Sequence, residues 1–176
     1  MTKEYLEEIV SSEEIQKTVK KIADKITNDY INEKLVLIGV LKGGFVFLSD
    51  LMRNLKFDIN VDFIFVSSYG DKMNSTGVVK IVKDIDFTIE NKHVIIVEDI
   101  IDTGLTLRYL KELFKTRNPA SVKICTIFDK PSKRKVEIDI DYNGIVLEDE
   151  FVVGYGLDYA EKYRNLPNLC LLKLEK

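Results

Sequence analysis

The chain has 176 residues, 45% hydrophobic and 31% charged, with a formal net charge of −3. That suffices for one domain with a proper core and a small appendage, and it supplies no global basic field to recruit nucleic acid. No apolar run approaches membrane-spanning length, and MTKEYLEEIV carries acids where a signal peptide would be apolar, so a cytoplasmic protein with no membrane partner is expected.

In chain order, Ser11-x-x-Glu14 is a capping box, and Ile15, Val19, Ile22, Ile26 and Tyr30 follow at helical spacing, predicting an amphipathic helix over 13–31. LVLIGV at 35–40 reads as a buried strand, followed by the turn Leu41-Lys42-Gly43-Gly44 and a helix over 45–55. A strand at 61–66, a long polar loop at 67–77 that is a candidate lid, and a strand at 78–82 come next. The run at 94–97 reads as a strand covered on both faces, with a helix beginning near Thr103 and carrying Leu105, Leu107, Leu110 and Leu113. Residues 122–128 form another apolar strand, and shorter strand-like pieces lie at 136–140 and 145–147. Strands alternating with helices predict an α/β fold with a largely parallel central sheet, and nothing reads as a repeat or an interdomain linker.

Cys125 and Cys170 lie in apolar runs with no Cys or His at metal-ligand spacing, so both are expected buried and reduced. His93, the only histidine, opens a strand and is expected at its partly exposed end, which leaves a Ser-His-Asp or Cys-His mechanism little to stand on.

The densest chemistry lies in HVIIVEDIIDTGLTL, residues 93–107. Glu98 and Asp99 come at the carboxyl end of an apolar strand, where open α/β sheets bind ligands. Asp102, Thr103, Gly104, Leu105 and Thr106 then form a turn that opens a helix, and unpaired N–H groups at a helix start suit a phosphate. Two carboxylates repel a phosphate but accept hydroxyls. A ribose 5-phosphate satisfies both, with its phosphate on 103–106 and its ring hydroxyls on Glu98 and Asp99. The motif is neither a Walker A loop nor a GxGxxG turn.

VIIVEDIIDTGLT resembles the phosphoribosyl pyrophosphate (PRPP) signature of the type I phosphoribosyltransferases. Taken alone, LKGG reads equally well as an ordinary turn or as a site, Asp102 on its helix-opening turn suits a general base as well as a helix cap, and Lys130 reads as an exposed lysine. The resemblance implies more for each. LKGG is similar to the diphosphate-binding loop of the hypoxanthine phosphoribosyltransferases, which would set Lys42 and Gly43 against the leaving diphosphate, with a Leu41–Lys42 peptide that can be cis. Ser68-Tyr69 would belong to the lid that keeps water from the ribose carbon. Asp102 would be the general base that accepts the N7 proton and makes N9 nucleophilic. Lys130, in DKPS, would donate to O6 of hypoxanthine or guanine and disfavour the 6-amino group of adenine.

FVVGYGLDY at 151–159 resembles the base-binding stretch of the same family. It implies that Phe151 stacks on the purine, Val152 meets its edge through backbone atoms, and Asp158 holds a second magnesium through water. Arg164, in EKYRN, would reach the diphosphate. Magnesium would bridge PRPP and the acids Glu98 and Asp99 without a dedicated protein cage. The family fold implies a single domain, with a core over about 11–150 and a small hood from about 1–10 and 151–176, and assembly as a homodimer or homotetramer. The implied activity is purine salvage, giving IMP or GMP from PRPP and a 6-oxopurine base. Two rivals are a PRPP- or nucleotide-sensing regulator that binds nucleic acid, for which 130–135 is a short, interrupted basic run, and an enzyme for adenine or a pyrimidine, which should lack Lys130 with Phe151.

Overall fold

The computed structural model describes residues 3–68 and 79–175. In order, the elements are β1 (Lys3–Val10), α1 (Ser12–Tyr30), β2 (Leu35–Leu41), α2 (Phe45–Asn54), β3 (Asn60–Ser68) and β4 (Val79–Lys83). They continue with β5 (His93–Ile101), α3 (Leu105–Lys115), β6 (Ser121–Asp129), a short 3-10 turn (Pro131–Lys133), β7 (Tyr142–Val146), β8 (Val152–Val153) and β9 (Leu169–Glu175).

α1 forms where the capping box places it: the Ser11 hydroxyl accepts from the Glu14 N–H at 3.2 Å, and Ile15, Val19, Ile22, Ile26 and Tyr30 are its buried stripe. The central sheet has the order β4-β3-β2-β5-β6-β7, parallel except for the edge strand β4. Alternate residues of β2 and β5 enter two separate cores. Leu35, Leu37, Ile95 and Val97 pack on the face covered by α1 and α2, while Val36, Ile38, Val94 and Ile96 pack against Leu107, Leu110 and Phe114 of α3. Burial on both faces is why these strands read as continuous apolar runs rather than as alternation.

β1, β9 and β8 form a second, antiparallel sheet from the two ends of the chain. Three expectations need correction. β5 runs on to Ile101, so Glu98 and Asp99 are within the strand rather than beyond it. α3 begins at Leu105, because Gly104 takes a left-handed φ of 79° that ends the turn before the helix can start. Residues 136–140 form no strand: the edge beside β6 is taken by β7, and Ile138 and Ile140 pack on the α3-side core instead. The expected lid falls largely on 69–78, including Tyr69, outside the described residues; Ser68 ends β3, paired with Val79.

Candidate active site

The chain runs outward from β2 to β3 on one side and from β5 to β6 on the other, so β2 and β5 flank the topological switch point. A crevice opens there at the carboxyl ends, where such sheets bind ligands. LKGG begins at the last residue of β2 and EDIIDTG runs from the end of β5 into its turn, so the two motifs face one crevice although 53 residues, 45–97, separate them in the chain.

The first turn is shaped by crowding. The Leu41–Lys42 peptide is cis. A Cβ on Gly43 would lie 1.5 Å from the Asp99 Oδ2, and one on Gly156 would lie 2.4 Å from the Gly43 carbonyl oxygen, so this backbone is held between a β5 carboxylate and the C-terminal segment. Lys42 points to solvent, its Nζ 3.1 Å from both carboxylate oxygens of Glu161. Arg164 turns inward, with Nη1 donating to the Gly156 carbonyl (2.7 Å) and Nη2 pairing with Asp158 (2.7 Å). Asp158 also accepts from the Glu161 N–H at 2.9 Å.

Two clefts open beside the second turn. One, of about 260 Å³, is lined by Glu98, Asp102, Thr103, Gly104 and Thr106. The other, of about 230 Å³, is lined by Asp99, Lys130, Phe151, Val152, Asp158 and Arg164. Asp102 and Ile100 border both. Alternation along β5 sends Glu98 and Asp99 to different clefts. Leu105 turns away, toward Arg108 and Tyr109, so only its backbone belongs to the turn.

Burial, and then the neighbouring Asp99 charge, raises Glu98 well above the usual carboxylate range; burial also raises Asp99, against which hydrogen bonds and Arg164 act. Among the described residues only Arg164 brings positive charge to this pair, and oxygen donors of this kind fit a hard divalent cation. Among the described residues no group of three or more His, Cys, Asp or Glu side chains is placed to hold a metal alone.

Lys130 is 6% exposed, and its Nζ donates to the Glu150 carbonyl at 2.6 Å. An ammonium has three N–H donors, so capacity for an acceptor in the cleft is left. Phe151 is 56% exposed at the cleft edge, edge-on to Tyr159 with centroids 5.7 Å apart, while Val152 is buried in β8. Cys125 and Cys170 are free and buried, burial raising both thiols. His93 opens β5, its Nδ1 2.8 Å from the Ser121 hydroxyl.

The basic run at 130–135 leaves only Lys133 and Lys135 as exposed cations. Lys130 is buried, Lys133 pairs with Asp149 (2.7 Å), and Arg134 folds back onto Asp129 and the Asp102 turn. Glu161, which meets Lys42, and Arg134, which meets the Asp102 carbonyl and is held by Asp129 beside Asn143, carry no sequence signal, because Lys42 and Asp102 are distant from them in the chain. No helix among the described residues is long and apolar enough to cross a membrane.

A phosphoribosyl transferase domain model matches residues 6–160. The chain is 49% identical over 98% of its length to the hypoxanthine-guanine phosphoribosyltransferase of Bacillus subtilis, covering 97% of that protein. It is 50% identical over 94% of its length to that of Streptococcus mutans, covering 92% of it. Its structure superposes on a hypoxanthine phosphoribosyltransferase crystal structure from Staphylococcus aureus with a TM-score of 0.92, 46% identity, and coverage of 95% of this chain and 91% of that one. With two clefts at the switch point of the matching fold and near half of its residues shared over almost its whole length, the chain belongs to the phosphoribosyltransferase family, among its hypoxanthine-guanine members.

Proposed function

We propose that this protein serves purine salvage by moving the 5-phosphoribosyl group of PRPP to N9 of hypoxanthine or guanine, giving IMP or GMP and diphosphate. The observation that carries this reading is the position of Asp102, which borders both clefts. A ribose phosphate in the first cleft and a flat base in the second would meet beside its carboxylate.

In this reading the turn 103–106, including the Leu105 backbone, holds the 5-phosphate through N–H groups and the Thr103 and Thr106 hydroxyls. Lys42, Gly43 and Arg164 receive the diphosphate, which requires Lys42 and Arg164 to exchange Glu161 and Asp158 for phosphate oxygens. Asp102 accepts the N7 proton as N9 attacks C1 of the ribose. Lys130 donates to O6, and adenine, with a donor there, leaves the buried ammonium unmatched. Phe151 stacks on the base, an interaction worth about 1–3 kcal/mol, and the Val152 backbone meets its edge. Ser68 and Tyr69 would help keep water from the ribose carbon.

Glu98 and Asp99 would hold magnesium, with Asp158 holding a second ion through water; the metal supplies charge stabilisation for the departing diphosphate. The free, buried cysteines suit a reducing compartment, and we take the protein to act in the cytoplasm as one domain, core 11–150 with a hood from 1–10 and 151–176, assembled as a homodimer or homotetramer. The sensor reading loses support, since two cations of its basic run, Lys130 and Arg134, turn inward and Lys133 is paired with Asp149. The test is nucleotide formation from PRPP with hypoxanthine, guanine, xanthine, adenine and uracil offered separately, with and without chelator. Magnesium-dependent product from 6-oxopurines alone is expected. PRPP binding without product from any base would reject the enzyme reading.

A further inference from the structure

Three successive carbonyls of the catalytic turn are held by one segment. The Lys130 N–H donates to the Ile101 carbonyl (3.0 Å), Arg134 Nη1 to the Asp102 carbonyl (2.5 Å) and the Lys135 N–H to the Thr103 carbonyl (3.0 Å). The outer two donors are backbone amides, which any residue but proline supplies. The middle bond alone depends on a side chain.

That side chain is itself held. Arg134 Nη2 donates to Asp129 Oδ1, and Asn143 Nδ2, on β7, donates to Asp129 Oδ2 at 2.9 Å. Asp129 is 4% exposed and lines neither cleft. A buried ion pair stabilises a fold weakly, and its best-attested benefit is a unique arrangement. Here each Asp129 oxygen accepts from a different element, which fixes the guanidinium in one orientation.

We infer that Arg134, held by Asp129 and Asn143, is a positioning residue that orients the Asp102–Thr103 peptide and with it the Asp102 carboxylate. A trans peptide points its carbonyl and N–H in opposite directions. Holding the Asp102 carbonyl toward 130–135 therefore turns the Thr103 N–H away from that segment and fixes the direction in which the Asp102 side chain leaves the backbone. A planar guanidinium serves the carboxylate and the carbonyl at once, a geometry that a lysine ammonium does not reproduce. This inference rests on Asp102 acting as the base.

Arg134→Lys keeps a cation for Asp129 and removes the fork, so the protein should fold. Its kcat is expected to fall about tenfold, the cost of a small misplacement, with KM for PRPP and for hypoxanthine within about twofold of the unaltered protein. Asp129→Asn, which removes the charge facing Arg134 and one of the two acceptor oxygens that Arg134 and Asn143 use, should act in the same direction. The double variant Asp102→Asn/Arg134→Lys should be no slower than Asp102→Asn alone, because both changes act through one carboxylate. Unchanged kcat in Arg134→Lys, or losses that multiply in the double variant, would overturn the inference. Unchanged turnover in Asp102→Asn would instead remove the base assignment and this inference with it.

Discussion

The two strand–turn–helix units at the switch point are built alike and stabilised differently. In β2–α2 the turn is shaped by close approach: added Cβ atoms would stand 1.5 Å from Asp99 at Gly43 and 2.8 Å from the Val40 carbonyl oxygen at Gly44. In β5–α3 the turn has more room, the nearest atom to a Cβ on Gly104 being Ile138 Cγ2 at 3.1 Å, and hydrogen bonds from 130–135 define its path. The first turn should therefore fail when an atom is added, and the second when a donor is removed.

The sharpest break of this comparison is Gly43→Ala. The Asp99 carboxylate would have to retreat from its place in the cleft that it lines with Lys130 and Phe151, so turnover should fall by more than the roughly 100-fold that a 1 Å misplacement costs; near-normal kcat would show that the crowding is dispensable. Gly104→Ala should cost only about 1 kcal/mol of stability, the strain of a left-handed alanine, read by denaturant unfolding. Asp102→Asn keeps the second turn intact and should lower turnover by roughly 100-fold while PRPP binding persists; a parallel loss of binding would assign Asp102 to the phosphate turn's shape instead.

Lys130→Ala tests the neighbouring cleft. KM for hypoxanthine should rise about tenfold or more, the value of a hydrogen bond from a charged donor, with PRPP affinity within about twofold. Equal loss of both would mean that the Glu150 contact matters for folding rather than for the base.

The smallest expected effect concerns the anchor that joins α2 to the C-terminal segment. The Tyr155 hydroxyl and Gln16 Nε2 each donate to Asp50 Oδ2 at 2.7 Å, and Arg53 pairs with Oδ1. Burial pushes the Asp50 carboxyl up, but the bonds from Tyr155, Gln16 and Arg53 outweigh it and hold the group below its ordinary value. A depressed folded pKa contributes stability above the unfolded value, and that stability is lost as pH falls through the folded one. Tyr155→Phe should thus cost about 1 kcal/mol at pH 7, or roughly 2–4 °C in a chain of this size, and the difference should shrink below about pH 4 as Asp50 is protonated in both proteins. A calorimetric difference that is constant across that range would remove Asp50 as its source.

Much of the site is legible in the chain because its contacts are local. Ser11 and Glu14 cap α1 within one turn, and Asp102, Thr103, Gly104 and Thr106 line one cleft as near neighbours in sequence. The strand boundaries read less well: β5 extends through Glu98 and Asp99 because β6 continues to pair alongside it as far as Ile101 with Asp129. Residues 136–140 alternate like a strand yet find no open edge, since pairing requires a neighbour and β7 occupies it. Lys130, exposed by the default for lysine, is buried because Glu150 and the segment after it fold over the β6 end.

The sequence by itself determines the alternation of buried strands with helices, the two glycine turns and the acids beside them, because hydrophobic period, capping and turn chemistry act over a few residues. Only the tertiary structure decides that β2 lies beside β5, that Asp102 stands between two clefts, and that Arg134 reaches back 32 residues to its carbonyl. Those outcomes depend on strand order and on buried polar partners from distant elements, which leave no local pattern in the chain.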